Sequence, residues 1–459
     1  MSGRERSLSP PTRDTESSAA WDRLLHAAGS LSRGGTDAFT KLSEAEWADF
    51  LAECDLHWMT PLIYRTLAAH RGRVPVPQAV RRGFKKMYLL SRARTRRADG
   101  LIIPVLSALS AAGIPVIVLK GMHLSTQVYD DPASRPMIDA DLLVRRDHLS
   151  AAARIVESFG FRQEEAEAPS GPQRGRASDD HHQLAIFWYP NGPPIELHYD
   201  LEAPDLLPCI DLEGVWRRAS PARIGGAEVL VLSPEDTILQ LCIHMAFHHL
   251  FAVKLLNLCD IPVVLERWRD RIDWNAFWAR ARAWGVERSV LITFALTQDR
   301  LGYRLNERAS AALAPHLPEM GTLMDMAERQ MRNKAAALAR RRLSPEPAPR
   351  NEKPGFHAFL KLRQRPSLPG RARLVVNRVF LPRRELSASF GLASDPLWLP
   401  LLYPVRLAVL IARHVPGVMR FAILRRIRRK DEPEIREILE TEMAQKSLAS
   451  WLRKGLNKG

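Results

Sequence analysis

The chain has 459 residues, 46% of them hydrophobic, enough for two or three cores of ordinary globular composition. Its 67 basic against 51 acidic side chains leave a formal charge of +16, which favours polyanionic partners such as nucleic acid, anionic lipid or a nucleoside triphosphate. Four scattered cysteines (Cys54, Cys209, Cys242, Cys259) form no CxxC pair, which argues against a zinc ribbon or disulfide framework and suits a reducing, cytoplasmic compartment.

Residues 1–19 are polar and Pro/Ser-rich, lack the apolar core of a secretory signal, and read as a disordered tail. Residues 20–113 read as an N-terminal helical region. Ser43 and Glu46 form a capping-box pattern ahead of Trp47, Phe50, Leu51 and Cys54 at helical spacing. After Pro75 and Pro77 a basic helix is expected over 78–97. Asp99 opens a further helix, 101–112, with Pro104 in its first turns and Gly113 at its end.

The texture changes at Ile114. The β-branched run IPVIVL (114–119) predicts a strand that meets Lys120-Gly121, followed by a helix over 122–129 and a turn at Asp130-Asp131-Pro132. IDADLLV (138–144) predicts a second strand, and 147–159 a helix closed by Gly160. Residues 165–180 have loop composition, 184–189 and 194–199 read as strands joined through Asn191-Gly192, and 227–232 as one more strand. Helices are expected over 236–251, 255–267, 274–284 and 287–301. The expected fold class is α+β: a small mixed β-sheet core (114–232) flanked by the N-terminal helices and by C-terminal helical regions, 233–340 and a basic 357–459, with a linker at 341–356.

On a strand over 138–144, Ile138, Ala140, Leu142 and Val144 share an apolar face, while Asp139 and Asp141 project together on the other. Neighbouring carboxylates repel unless a cation lies between them, and magnesium, a hard ion with oxygen ligands, is the natural compensation. Glu196 and His198 alternate in the same way with Ile195, Leu197 and Tyr199. If the two strands are neighbours, Glu196 becomes a third carboxylate, and Asp139, Asp141 and Glu196 suit a two-metal site with magnesium, or manganese, as the cofactor. A D-x-D also arises where aspartates merely end strands, so the pair gains meaning from its surroundings. Lys120-Gly121, where a strand meets a helix N-terminus, would let backbone N–H groups and a lysine approach a phosphate; a solvated lysine at a plain turn is the other reading. His198 would orient the acceptor or a phosphate.

His244 and His248 stand at i, i+4 and could chelate zinc, yet HMAFHH is not HExxH, and a packing or hydrogen-bonding role is favoured for them and for His181-His182. Lys254 and Asp260 are expected to form a structural ion pair. The apolar run 397–411 contains two prolines and Arg406 and falls short of the ~20 residues that span a bilayer. With the arginines up to Lys430 it could contact an anionic membrane surface or nucleic acid, against the favoured reading of an ordinary helical subdomain with a charged outer face.

Taken in order, IPVIVLKGMHLSTQVYDDPASRPMIDADLLVRRDHLSAAARIVESFGF (114–161), IELHYDL (195–201) and LSPEDTILQLCIHMAFHHLFAVKLLNLCDIPVVL (232–265), with HWMTPLIYRTL (57–67) upstream, resemble an uncharacterised bacterial nucleotidyltransferase family of the DNA polymerase beta-like superfamily. The likeness spans about residues 20–305. It implies transfer of a nucleoside monophosphate from an NTP to a hydroxyl-bearing acceptor (small molecule, peptide or sugar), with Gly121 as the phosphate-turn glycine, Asp139 and Asp141 as the metal pair and Glu196 as the third carboxylate. It also marks Arg135 as a phosphate or nucleotide contact, a solvated arginine being the other reading. One departure stands out: the superfamily's Gly-Ser turn is replaced by Lys120-Gly121-Met122, which leaves room for a catalytically silent nucleotide-binding protein.

Overall fold

A computed structural model describes residues 13–32, 39, 42–70, 73–163, 182–184, 186–203, 206, 207, 209–343, 399–408 and 433–454. The expected loop at 165–180, His181, most of the linker at 341–356 and the basic stretch at 409–432 lie outside the described residues.

Helix α1 (Arg13–Ser32) begins inside the stretch that composition assigned to a tail. Ser43 caps α2 (Glu44–Leu56) with both halves of the capping box in place: its Oγ accepts from the Glu46 N–H, and the Glu46 carboxylate accepts from the Ser43 N–H. Helix α3 (Thr60–Ala69) follows, and then α4 (Gln78–Ala111), one helix of 34 residues where two were expected. Pro104 sits inside α4. A proline ring lacks the N–H for the bond to the carbonyl four residues back, Gly100, yet the helix runs on through it to Ala111.

Seven strands form one mixed sheet: β1 (Val116–Val118), β2 (Ala140–Val144), β3 (Arg162–Gln163), β4 (Phe187–Trp188), β5 (Ile195–His198), β6 (Ser220–Ile224) and β7 (Ala227–Val231), in the spatial order β3-β4-β5-β2-β1-β7-β6. β1 runs antiparallel to β2 and parallel to β7, and β2 runs parallel to β5. The expected hairpin is formed by β4 and β5, but through a six-residue connection, 189–194, in which Asn191 takes a positive φ of 54°. β6 had escaped the sequence reading. Its partner turn, Gly225-Gly226 with both φ values positive, carries the two-glycine hairpin pattern that would have revealed it.

Both faces of the sheet are covered. The second half of α4 (Ile102, Val105, Leu106, Leu109) and α6 (Leu149–Ser158) pack on the side that holds Val118, Ala140, Leu142, Ile195 and Leu197. Ile117, Leu119 and Leu143 face the other way, into a larger core shared by the N-terminal helices, α8 (Pro234–Ile243), α9 (Leu255–Arg267), α10 (Trp274–Ala283) and α11 (Glu287–Asp299). Asp141, two residues before Leu143, therefore projects from the sheet toward this helical layer.

Helix α8 does not run on to residue 251 as expected. It passes into a five-residue π-helical turn, His244–His248, after which Leu250 and Phe251 have positive φ. Beyond α11 come α12 (Glu307–Leu313) and α13 (Leu317–Leu343), which reaches past the expected start of the linker, and a last helix α14 (Pro433–Arg453). In the short described piece at 399–408, Leu401, Val405 and Leu407 are exposed while Arg406 is buried. Among the described residues no helix is long and apolar enough to cross a membrane.

Candidate active site

Parallel pairing of β2 with β5 sets Asp141 against Glu196 and Leu143 against His198. On the helical-layer side of the sheet this brings Asp141, Glu196 and His198 together, with ligating atoms all within 4.8 Å of one another. His198 Nε2 lies 2.8 Å from Asp141 Oδ1 and 3.5 Å from Glu196 Oε2.

Asp139 is placed differently from the sequence expectation. The ladder starts at Ala140, whose N–H donates to the Pro194 carbonyl, so Asp139 precedes the strand and Ile138, expected in the apolar face, is 59% exposed. Asp139 nonetheless lies close enough to Asp141, Glu196 and Lys120 to feel all three charges.

Lys120 comes to this cluster through backbone geometry. The Leu119 N–H donates to the Asp141 carbonyl, and Lys120, at the start of α5 (Lys120–Gln127), takes the left-handed φ of 42° that L-residues avoid. Its Nζ reaches Asp141 Oδ1 at 2.7 Å, in a largely buried ion pair. Lys120 is therefore not the solvated lysine of a plain turn.

The charges are unequally satisfied. Burial pushes the Asp139 carboxyl up, and the neighbouring Asp141 and Glu196 anions push it further, against Lys120 and Arg135. Burial would also raise Asp141, but Lys120 and His198 outweigh it and hold that carboxyl well below the usual range. Burial works against the charge on His198, as does Lys120, and its hydrogen bonds to Asp141 and Glu196 reverse the balance and raise it. Lys120 is raised too: the cost of burial is exceeded by the attraction of Asp141, Asp139 and Glu196.

Arg135 has been drawn elsewhere. Its Nε and Nη2 donate to the two carboxylate oxygens of Asp260, at 3.2 and 2.7 Å, and the Tyr129 hydroxyl donates to the same carboxylate at 2.9 Å. Arg135 is neither a solvated side chain nor a guanidinium open to phosphate. The expected Lys254–Asp260 pair is also overturned: Asp260 points from α9 into this buried network, whereas Lys254, just before α9, lies over the Trp58 ring. Lys254 stands at the extended N-cap of α9, outside the helical turns that aim Asp260 inward.

Gly121 packs directly on that network. A Cβ there would stand 2.8 Å from Arg135 Nη1 and 3.1 Å from Met137 Cβ. Gly121→Ala is therefore expected to displace the Arg135 head and destabilise the fold by about 1–3 kcal/mol, read by urea denaturation. A neutral result would show that the glycine is not held there by contact.

A family model described as an uncharacterised nucleotidyltransferase matches residues 43–302. The chain belongs to this family. The matched segment covers more than half of the chain, starts at the Ser43 cap of α2 and ends just after α11, so it contains the whole sheet and the Asp141–Glu196–His198 cluster. Neither curated proteins nor solved structures give a match. Within the family segment, the described residues offer a second His/carboxylate group, His182, Glu202 and His248, which the sequence reading had not assembled. Its three members are 20 and 46 residues apart, beyond any local motif.

Whether this site suits divalent cations can be tested on its donors. Three carboxylates crowd one region with a single lysine among them, and one of the three, Asp139, is raised by burial and by the other two. Such an excess of desolvated negative charge suits a hard dication with oxygen ligands.

Proposed function

We propose that the chain transfers a nucleoside monophosphate from an NTP to a hydroxyl-bearing acceptor (small molecule, peptide or sugar), with release of pyrophosphate. The observation that carries the reading is the β2–β5 register, which sets Glu196 directly beside Asp141. Asp139, Asp141 and Glu196 would hold two magnesium ions, or manganese. Bound there, the ions would neutralise the phosphoryl oxygens and the departing pyrophosphate.

The chain's own residues supply the rest. Lys120 neutralises Asp141 and, once the carboxylates are otherwise engaged, offers a point charge to the triphosphate tail, with Gly121 letting backbone approach it. Glu196 lies where it could accept the acceptor hydroxyl's proton. His198, tied to Asp141 and Glu196, fixes both carboxylates in orientation and would orient a phosphate or the acceptor. Positioning and charge neutralisation then account for the rate.

The same Lys120–Asp141 contact favours a second reading, a nucleotide-binding protein without turnover, because the lysine already satisfies the aspartate that a metal would need. One experiment separates the two. Pyrophosphate release is followed with each NTP and a panel of hydroxyl acceptors, with magnesium and with chelator. Magnesium-dependent release that is absent in Asp139→Ala supports transfer; saturable nucleotide binding with no release across the panel supports the silent protein.

A further inference from the structure

Next to the carboxylate site stands the His182–Glu202–His248 cluster, for which nucleotidyl transfer has no use. Its ligating atoms also lie within 4.8 Å of one another. Each oxygen of Glu202 faces one imidazole nitrogen: Oε1 lies 3.6 Å from His182 Nδ1, and Oε2 lies 3.5 Å from His248 Nδ1. These gaps exceed the ~2.7–2.9 Å of a charge-assisted hydrogen bond. They approach the spacing of two donors on one tetrahedral zinc, about 3.4 Å for bonds of ~2.1 Å.

Glu202 is only 3% exposed. Its ion-pair partners among the described residues are these two imidazoles, and its other hydrogen bond is to the adjacent Ala203 N–H. A buried carboxylate is costly unless a positive charge compensates it. A cation shared by the three side chains would supply that charge.

The backbone holds both histidines in place. The His182 carbonyl accepts from the N–H groups of Tyr199 and Asp200, which fixes it at the end of β5. His248 closes the π-helical turn and stacks on His244, and the two residues with positive φ follow shortly after it. A π turn widens the helix by one residue, a distortion found mostly where a side chain must be aimed.

We propose that His182 Nδ1, the Glu202 carboxylate and His248 Nδ1 form a site for a zinc-class divalent cation, separate from the magnesium ligands proposed above. Two imidazoles and one carboxylate suit zinc rather than magnesium, and three protein ligands leave a fourth position open. The His182 ring lies 5.3 Å from that of His198 and 5.2 Å from that of His248. A cation here clamps the end of β5 to the π turn of the helical layer, the two walls beside Asp141.

The test uses the full chain, stripped with chelator and then titrated with zinc or cobalt alone in excess magnesium without nucleotide. Expected are one tight equivalent per chain, a rise in melting temperature, and an X-ray absorption spectrum of the zinc form with two imidazoles. Glu202→Gln and His248→Ala are expected to weaken zinc binding by at least ~100-fold, since loss of supporting contacts alone costs ~10–100-fold. Asp139→Asn is expected to keep it. His248 is partly exposed, so its alanine variant tests the ligand without emptying the core. No tight uptake by the wild type, an all-oxygen shell, or loss of zinc in Asp139→Asn would each overturn the proposal.

Discussion

Asp139→Asn and Asp141→Asn are expected to abolish pyrophosphate release alike while moving stability in opposite directions. Each removes a negative charge from the proposed metal site, whose ions are worth several kcal/mol in the transition state, so turnover should fall by ~10³-fold or more. Their folded environments differ. Asp141 is buried on Lys120 and His198, and its loss leaves the buried Lys120 ammonium facing a neutral amide, at a cost of about 3 kcal/mol. Asp139 is desolvated beside two other carboxylates, so neutralising it should stabilise the metal-free protein by about 1 kcal/mol.

The pH dependence follows from the same facts. The Asp139 carboxyl is held above its unfolded value of 3.8, at about 7 in the fold, so its burden is absent below pH ~4 and grows as pH rises to ~7. The gain from Asp139→Asn should therefore appear over that window and level off above it. Asp141 is held below its unfolded value, so its stabilisation is full above pH ~4 and fades as pH falls further. Denaturation curves in chelator from pH ~2 to ~8 read both trends. Magnesium should stabilise the wild type and neither variant. Equal destabilisation by both substitutions would mean that Asp139 carries no excess charge and that the metal reading has lost its electrostatic basis.

The second large effect is structural. Arg135→Ala should cost about 3–5 kcal/mol, because it leaves Asp260, 0% exposed, without the guanidinium that grips both its oxygens. The Tyr129 hydroxyl remains as a single neutral donor, too little for a buried anion. Replacing both partners by leucine should recover most of the loss, since two apolar groups need no compensation. Urea denaturation of the two single variants and the double variant gives the coupling. A cost below about 1 kcal/mol for Arg135→Ala would show that Asp260 does not depend on the guanidinium, and would reopen the phosphate contact that its position before Asp139 suggests.

Much of the local structure was legible because its causes are local. Ser43 and Glu46 announce a helix start with their own side chains, α9 occupies the expected 255–267, and the alternation in IDADLLV placed Asp141 opposite Ala140 and Leu142. Where local patterns misled, a neighbour was missing from view. Ile138 belongs to the alternation but not to the strand, because pairing begins only where Pro194 offers its carbonyl to Ala140. Pro104 looked like a helix start, although it lies inside α4, which runs unbroken from Gln78 to Ala111.

By itself, the sequence determined the helix–sheet–helix order, the α+β class and the family to which residues 43–302 belong. Only the tertiary structure decided which charges meet: Lys120 with Asp141, Arg135 with an aspartate 125 residues away, and Glu202 with two histidines from separate segments. The reason is physical. Apolar periodicity is written in neighbouring residues, whereas an ion pair takes its strength from desolvation, which exists only once distant segments have closed over it.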